Sequence, residues 1–186
     1  MSALAEPCGS TFGVRPLDPF DDTALVHRWV THPKAAFRPL SGTRLQDVER
    51  EYMAIAARPH HDAFIGLHDG EPAFLMERYD PAGTGLKGLY EAEPGDVGMH
   101  FLIAPTDTQP LGHTLAVLTA VMEALFADPA VRRVVVDHDV RNSTAHALHR
   151  SVGFEALRVI GEPGRSALLS ACTRERFQAA TAGVHH

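Results

Sequence analysis

The hydrophobic positions change period several times along the chain, and each change marks an element. Residues 12–16 read as a short strand, after which Asp21 and Asp22 open a run with Leu25, Val26, Trp29 and Val30 at helical spacing. Pro33 stops that helix. A second helical run covers residues 45–57, where Val48, Tyr52, Ile55 and Ala56 recur at helical spacing and Pro59 follows the end. Residues 61–67 and 72–79 read as strands, and Asp69-Gly70 between them is a hairpin signal. Residues 79–95 are rich in Gly and Pro and read as a loop, with residues 86–90 as a brief pairing segment.

Residues 96–104 form the next strand, ended by Pro105, and a polar loop over 106–112 leads into a strongly apolar helix at 114–126. The β-branched run 131–136 predicts a buried strand, followed by a helix at 143–151 with Gly153 at its C-cap position. A hairpin of residues 154–160 and 166–172 and a terminal helix at 174–180 complete the chain. The order β-α-α-β-β-β-α-β-α-β-β is an α+β arrangement around one mixed sheet. It predicts a single domain over residues 11–180, with flexible segments at 1–10 and 181–186.

Composition narrows the class without naming a chemistry. The 186 residues are 45% hydrophobic and 22% charged, enough for one substantial core. No run of ~18 apolar residues occurs and the N-terminus lacks a basic region followed by an apolar one, so neither a membrane span nor a signal peptide is expected and the protein reads as cytoplasmic. Cys8 and Cys172 read as two reduced thiols. The net charge of -6 argues against a nucleic-acid partner and suits a cationic small molecule. Twelve histidines raise the question of a metal, but His146 and His149 at i, i+3 lack an evident third ligand, so no metal is expected. No Gly-x-Ser-x-Gly or Cys–His pattern supports a covalent intermediate.

The strand, glycine turn and helix at 96–126 place free amides and the helix dipole beside a strand end, a setting that favours a phosphate. The amides of Gly112, His113 and Thr114 are the candidate donors. Downstream, Asn142, Ala145, Leu148 and Gly153-Phe154 form an N-x-x-A-x-x-L-x-x-x-x-G-F run, and Met99-His100-Phe101-Leu102-Ile103-Ala104-Pro105 precedes the phosphate loop. With the element order, these segments resemble the GNAT superfamily of acyl-CoA-dependent N-acyltransferases. The resemblance implies a GNAT fold whose fourth and fifth strands run parallel and splay apart, with acyl-coenzyme A as co-substrate. It further implies pantetheine contacts from Leu102 and Ile103, a place for Asn142 at the coenzyme site, and His149 where many relatives carry the tyrosine that protonates the departing thiolate. The phosphate loop departs from the superfamily pattern, reading Gln109-Pro110-Leu111-Gly112-His113-Thr114 with a single glycine.

A narrower resemblance rests on His32-Pro33-Lys34-Ala35-Ala36-Phe37, on residues 71–81 (Glu-Pro-Ala-Phe-Leu-Met-Glu-Arg-Tyr-Asp-Pro), on Gly95-Asp96-Val97-Gly98-Met99-His100 and on Asp139-Val140-Arg141-Asn142. Together they resemble the lysine or diamine N-acyltransferases of hydroxamate siderophore assembly (aerobactin, mycobactin and desferrioxamine pathways). That family acylates an N-hydroxylated terminal amine, and N-hydroxycadaverine is the favoured acceptor here, with an acetyl or succinyl donor. Arg38-Pro39-Leu40 replaces a common Trp-x-Met, and Arg38 could pair with a succinyl carboxylate.

Direct transfer needs a neutral nitrogen, stabilisation of the oxyanion and a proton acceptor. His100, on the strand that presents the acyl group, is the candidate base, and Asp139, at the end of the neighbouring strand, orients it or holds the nucleophile; the family resemblance carries the same pair. Glu77 and Asp80 are candidates for the distal ammonium of a diamine, with Asp137 a further one on the face of Asp139. Other readings are a GNAT that acetylates a polyamine, an antibiotic or a protein amine, and a non-catalytic acyl-CoA-binding module. A monomer or homodimer is expected, with no membrane partner.

Overall fold

The computed structural model describes residues 3–5, 11–35, 42–83, 86–106, 112–162 and 164–182. They divide into two compact units, Met1–Arg78 with His100–Thr114, and Tyr79–Met99 with Leu115–His186.

In the first unit β1 (Ala3–Ala5) pairs antiparallel with β2 (Thr11–Pro16), which pairs antiparallel with β3 (His61–His68). Strand β1 lies in the segment read from sequence as flexible; three residues are too few to carry a periodic signal, and backbone pairing to β2 makes the strand. The sheet continues in the order β3, β4 (Glu71–Tyr79), β5 (Asp96–Ile103). The β3–β4 hairpin turns on Asp69 and Gly70 at φ of +51° and +88°, the paired left-handed conformations that an Asp-Gly turn supplies. Past the end of β5, the Ala104 amide donates to the Ala73 carbonyl at 2.8 Å.

Between β2 and β3 the chain forms α1 (Thr23–Val30), a 3-10 turn at Pro33–Ala35 and α2 (Leu45–Ala57). Val26, Trp29 and Val30 from α1 and Val48, Tyr52 and Ile55 from α2 bury against Ile65 and Leu75, with Leu102 packed at the margin. The spacing that marked those helices is thus the spacing of one core. Arg15 holds the carboxylate of Asp22 with hydrogen bonds of 2.6 and 2.7 Å, and this guanidinium keeps Asp22 below the usual carboxylate range.

In the second unit β5 meets β6 (Arg133–Asp139) in parallel register at Asp96–Arg133, Val97–Val134 and Gly98–Val135. The register goes no further, although β5 runs on to Ile103 and β6 to Asp139. These are the fourth and fifth strands of the sequence reading. Strand β6 is paired along its whole length, from Arg133–Thr173 to Asp139–Ala167, with β8 (Arg165–Thr173), which forms a hairpin with β7 (Glu155–Glu162). Sequence placed the strand at residues 131–136 because Asp137 and Asp139 interrupt its apolar run; backbone pairing to β8 carries it on to Asp139, with both carboxylates buried.

Helix α3 (His113–Ala127) buries Val117, Leu118, Val121, Met122 and Leu125. Arg174, the first residue of α5 (Arg174–Thr181), closes its C-terminal end by donating to the carbonyls of Phe126, Asp128 and Val131. Helix α4 (Ser143–Ser151) starts at Asn142, whose Oδ1 accepts the Ala145 amide at 3.1 Å. At the start of β5, Asp96 receives two hydrogen bonds from Arg133 at 2.7 and 2.8 Å, one from the Tyr90 hydroxyl and one from the Glu93 amide. Burial opposes the charge on Asp96, but these donors together hold its carboxyl below the ordinary range. Residues 86–90, expected to pair, contribute an isolated bridge between Lys87 and Tyr90. Cys172 on β8 is buried, and that burial pushes its thiol up to about 12. Among the described residues no helix is long and apolar enough to cross a membrane.

Candidate active site

Four elements of the first unit each send one side chain to a common point. Glu77 on β4 is buried at 7% exposure, and its Oε1 accepts the hydroxyl of Tyr52, from α2, at 2.8 Å. Its Oε2 lies 3.3 Å from Nδ1 of His100 on β5 and 3.7 Å from Nε2 of His61 on β3. The alternation along β4 and β5 puts Glu77 and His100 on the same side of the sheet, and the helical spacing of α2 aims Tyr52 at them. An ionised carboxylate only accepts, so the Nδ1 contact requires a proton on that nitrogen and leaves Nε2 of a neutral His100 without one. The His100 side chain keeps 33% exposure.

Sequence reasoning singled out Glu77 for a substrate ammonium; the structure gives it Tyr52 and His100 as partners. Tyr52 itself was read as a core residue and His61 as one of many histidines. A tyrosine on the buried face of a helix needs an acceptor for its hydroxyl, and that was the available signal.

A second set of groups lies in the second unit around the end of β6. Asp139 is 5% exposed and receives the Arg141 guanidinium at 2.7 and 2.8 Å and the Arg141 amide at 2.9 Å. This tight local loop also brings the Asn142 amide to the Asp139 carbonyl at 2.9 Å, where Nε2 of His146 donates at the same distance. Sequence reading missed Arg141 as the partner of this carboxylate.

His149, which stands where the resemblance places the thiolate-protonating tyrosine, is buried at 2% exposure. The short helix α4 packs it edge-on to Phe154 at 4.9 Å and beside His138 at 4.4 Å between ring centroids. Desolvation drives its imidazole down to about 4, outweighing the hydrogen bond to Ala145 that acts the other way. Nδ1 donates to the Ala145 carbonyl at 2.9 Å, so the neutral ring presents a bare Nε2, which faces Nε2 of His138 at 3.4 Å. In that state His149 carries no proton on Nε2 to give a thiolate.

The other sequence candidates are dispersed. Leu102 packs at the core margin and Ile103 ends β5 half-buried. Gly112 takes φ of +82°, a conformation that suits glycine, immediately before α3; His113 and Thr114 form the first residues of that helix. The His113 ring stands 5.0 Å from that of His68. Asn142 uses its side-chain oxygen as the α4 cap. Asp80 accepts the Ala82 amide at 2.9 Å and so caps a 3-10 turn at Pro81–Gly83. Asp137 is buried at 7% on β6. Arg38 and Cys8 lie outside the described residues. Among the described residues no group of three His, Cys, Asp or Glu side chains could hold a metal ion.

Against this geometry the similarities to known proteins are consistent. A lysine N-acyltransferase, MbtK, from Mycobacterium sp. (strain MCS) is 28% identical over 163 residues, which cover 87% of this chain and 64% of that enzyme. The chain therefore spans under two thirds of the length of that relative. An N-hydroxyputrescine acetyltransferase from Acinetobacter baumannii is 26% identical over 84% of this chain and 74% of its own. Among solved structures, AAC(6')-Ib in complex with paromomycin and acetyl-CoA superposes with a TM-score of 0.78 at 24% identity, covering 90% of this chain and 96% of that one, a likeness of fold. The acetyltransferase (GNAT) domain family matches residues 18–161. Since that match takes in most of the chain, together with the mixed sheet and its briefly paired parallel strands, the protein belongs to the GNAT acetyltransferase family.

Proposed function

We propose that the chain is an acyl-CoA-dependent N-acyltransferase that forms a hydroxamate on an N-hydroxylated diamine or lysine, N-hydroxycadaverine being the favoured acceptor and acetyl or succinyl the donor, in hydroxamate siderophore biosynthesis. Residues 11–180 act as one catalytic domain. The observation that carries the reading is His100: an imidazole on β5, past the last residue paired with β6, with Nδ1 turned to a buried carboxylate.

The coenzyme fits the residues present. Gly112 opens a 15-residue helix whose first amides, on Gly112, His113 and Thr114, would take the pyrophosphate. The backbone of Leu102 and Ile103 would meet the pantetheine arm. Asn142 and His149 are further coenzyme contacts in this reading, His149 as a neutral ring rather than an acid, and Arg38 would read a succinyl carboxylate.

An N-hydroxylated amine is far less basic than a lysine amine of pKa about 10.4, so it arrives neutral. Its nitrogen attacks the thioester carbonyl carbon, a C–N bond forms, and the C–S bond breaks. His100 Nε2 takes the proton from nitrogen, while Asp139, steadied by Arg141, holds the nucleophile, and Asp80 or Asp137 receives the distal ammonium. The sulfur leaves as a thiolate whose conjugate acid has a pKa of about 8.5, so an acid on the protein is not obligatory. That point accommodates the neutral state of His149.

A thiol-release assay that crosses acetyl- and succinyl-CoA with N-hydroxycadaverine, N-hydroxylysine and their unhydroxylated parents tests the proposal. The hydroxylated acceptors are expected to turn over fastest at neutral pH. A preference for cadaverine itself, rising well above neutral pH, would favour acetylation of a polyamine, and binding without thiol release would favour a silent acyl-CoA module.

A further inference from the structure

The Glu77 carboxylate lies where neither solvent nor a free ammonium meets it easily, and its oxygens face groups of the protein. Tyr52 donates to Oε1 at 2.8 Å, while Oε2 faces His100 Nδ1 at 3.3 Å and His61 Nε2 at 3.7 Å. Tyr52 is 2% exposed, so its hydroxyl fixes the carboxylate plane from inside the core. His61 approaches the same oxygen from β3, directly after His60, which takes φ of +61°. Four elements, α2, β3, β4 and β5, thus converge on one carboxylate with a half-exposed imidazole at its outer edge.

We propose that Glu77 is a positioning residue for acyl transfer: held by Tyr52 and flanked by His61, it keeps the His100 proton on Nδ1, so that Nε2 carries its lone pair and can accept the proton of the attacking nitrogen. The proposal rests on the reading of His100 as that acceptor. It replaces the sequence expectation that Glu77 binds the substrate's distal ammonium. Without the carboxylate, His100 is free to hold its proton on Nε2, where a neutral imidazole has no base to offer.

Tautomer and kinetics test this separately. Nitrogen-15 NMR of the histidine-labelled full chain at pH 8, with His100→Gln identifying the signal, is expected to show His100 protonated at Nδ1. An Nε2–H tautomer in the wild-type protein overturns the proposal whatever the activity. In turnover of N-hydroxycadaverine with acetyl-CoA, Glu77→Gln is expected to lower kcat about 100-fold with KM within about twofold, the low end of what positioned proton transfer contributes. Tyr52→Phe keeps the charge and is expected to cost about three- to tenfold, the share of one neutral hydrogen bond.

In a His100→Ala background, Glu77→Gln is expected to add no more than about twofold, because nothing is left to position. A further loss near 100-fold in that background, or a raised KM as the main effect of Glu77→Gln, overturns the positioning role and leaves His100 as the base. Wild-type turnover by His100→Ala overturns the base assignment, and the positioning role with it. Should Glu77→Gln fail to fold, the wild-type tautomer still decides.

Discussion

Gly98 offers a sharp test of how the second unit is packed. It is the last residue of β5 in register with β6, and the Tyr79 ring lies across it. A Cβ built at Gly98 would stand 2.1, 2.4 and 2.5 Å from Cε2, Cζ and Cδ2 of that ring, where ordinary carbon contacts are about 3.5–4.0 Å. The ring would have to retreat by more than about 1 Å to restore an ordinary contact. It has little room, because Tyr79 is 4% exposed and belongs to a core with Leu86, Val135, Ile160 and Leu169. Overpacking of this kind costs about 1–3 kcal/mol. For a chain of this length a loss of about 2 kcal/mol lowers Tm by about 4–8 °C. Thermal and urea melts of Gly98→Ala are therefore expected to show that loss, and Gly98→Ala/Tyr79→Leu to recover part of it. Gly13→Ala is the control, since a Cβ there meets nothing within 4 Å. Turnover should fall as well, because His100 follows two residues later on the same strand face. If Gly98→Ala melts within about 1 °C of wild type, the Tyr79 ring does not lie across the strand as described.

Three further outcomes are expected. The His149 imidazole titrates at about 4 in the folded protein against 6.5 in an open chain, so the unfolded state binds more protons between those values; stability is full above pH 6.5 and falls as pH drops towards 4. The loss is of the order of 3 kcal/mol, read as a pH-dependent Tm that flattens in His149→Leu. Arg133→Met leaves the buried Asp96 carboxylate without its guanidinium and is expected to cost about 3–5 kcal/mol in urea unfolding, much of it restored by adding Asp96→Asn. Asn142→Ala removes the α4 cap and is expected to cost about 1 kcal/mol by the same measurement.

Much of the architecture was legible because local chemistry and burial agree along the chain. The α2 and α4 boundaries coincide with the sequence expectation, and Asp69-Gly70 adopts the turn that its composition demands. What escaped was partnership across distance. Tyr52 and Glu77 are 25 residues apart and Glu77 and His100 are 23 apart, so no periodicity links them. A carboxylate on a strand looks the same in sequence whether it faces water or two imidazoles. His149 shows the converse limit: its place directly after the N-x-x-A-x-x-L run was clear, but its protonation state follows from Phe154 and His138 closing over the ring. The short β1 strand and the length of β6 were hidden for a simpler reason, since backbone pairing made both where side-chain pattern gave no sign.

The buried sulfur of Cys172 gives the β6–β8 ladder a clock of its own. A thiol that stays protonated and covered in native buffer is invisible to disulfide reagents until β8 leaves the sheet. In a Cys8→Ser background the labelling rate would therefore time that departure directly, with no introduced probe. In that same Cys8→Ser background a thiol reagent can count coenzyme released by the enzyme without counting the protein.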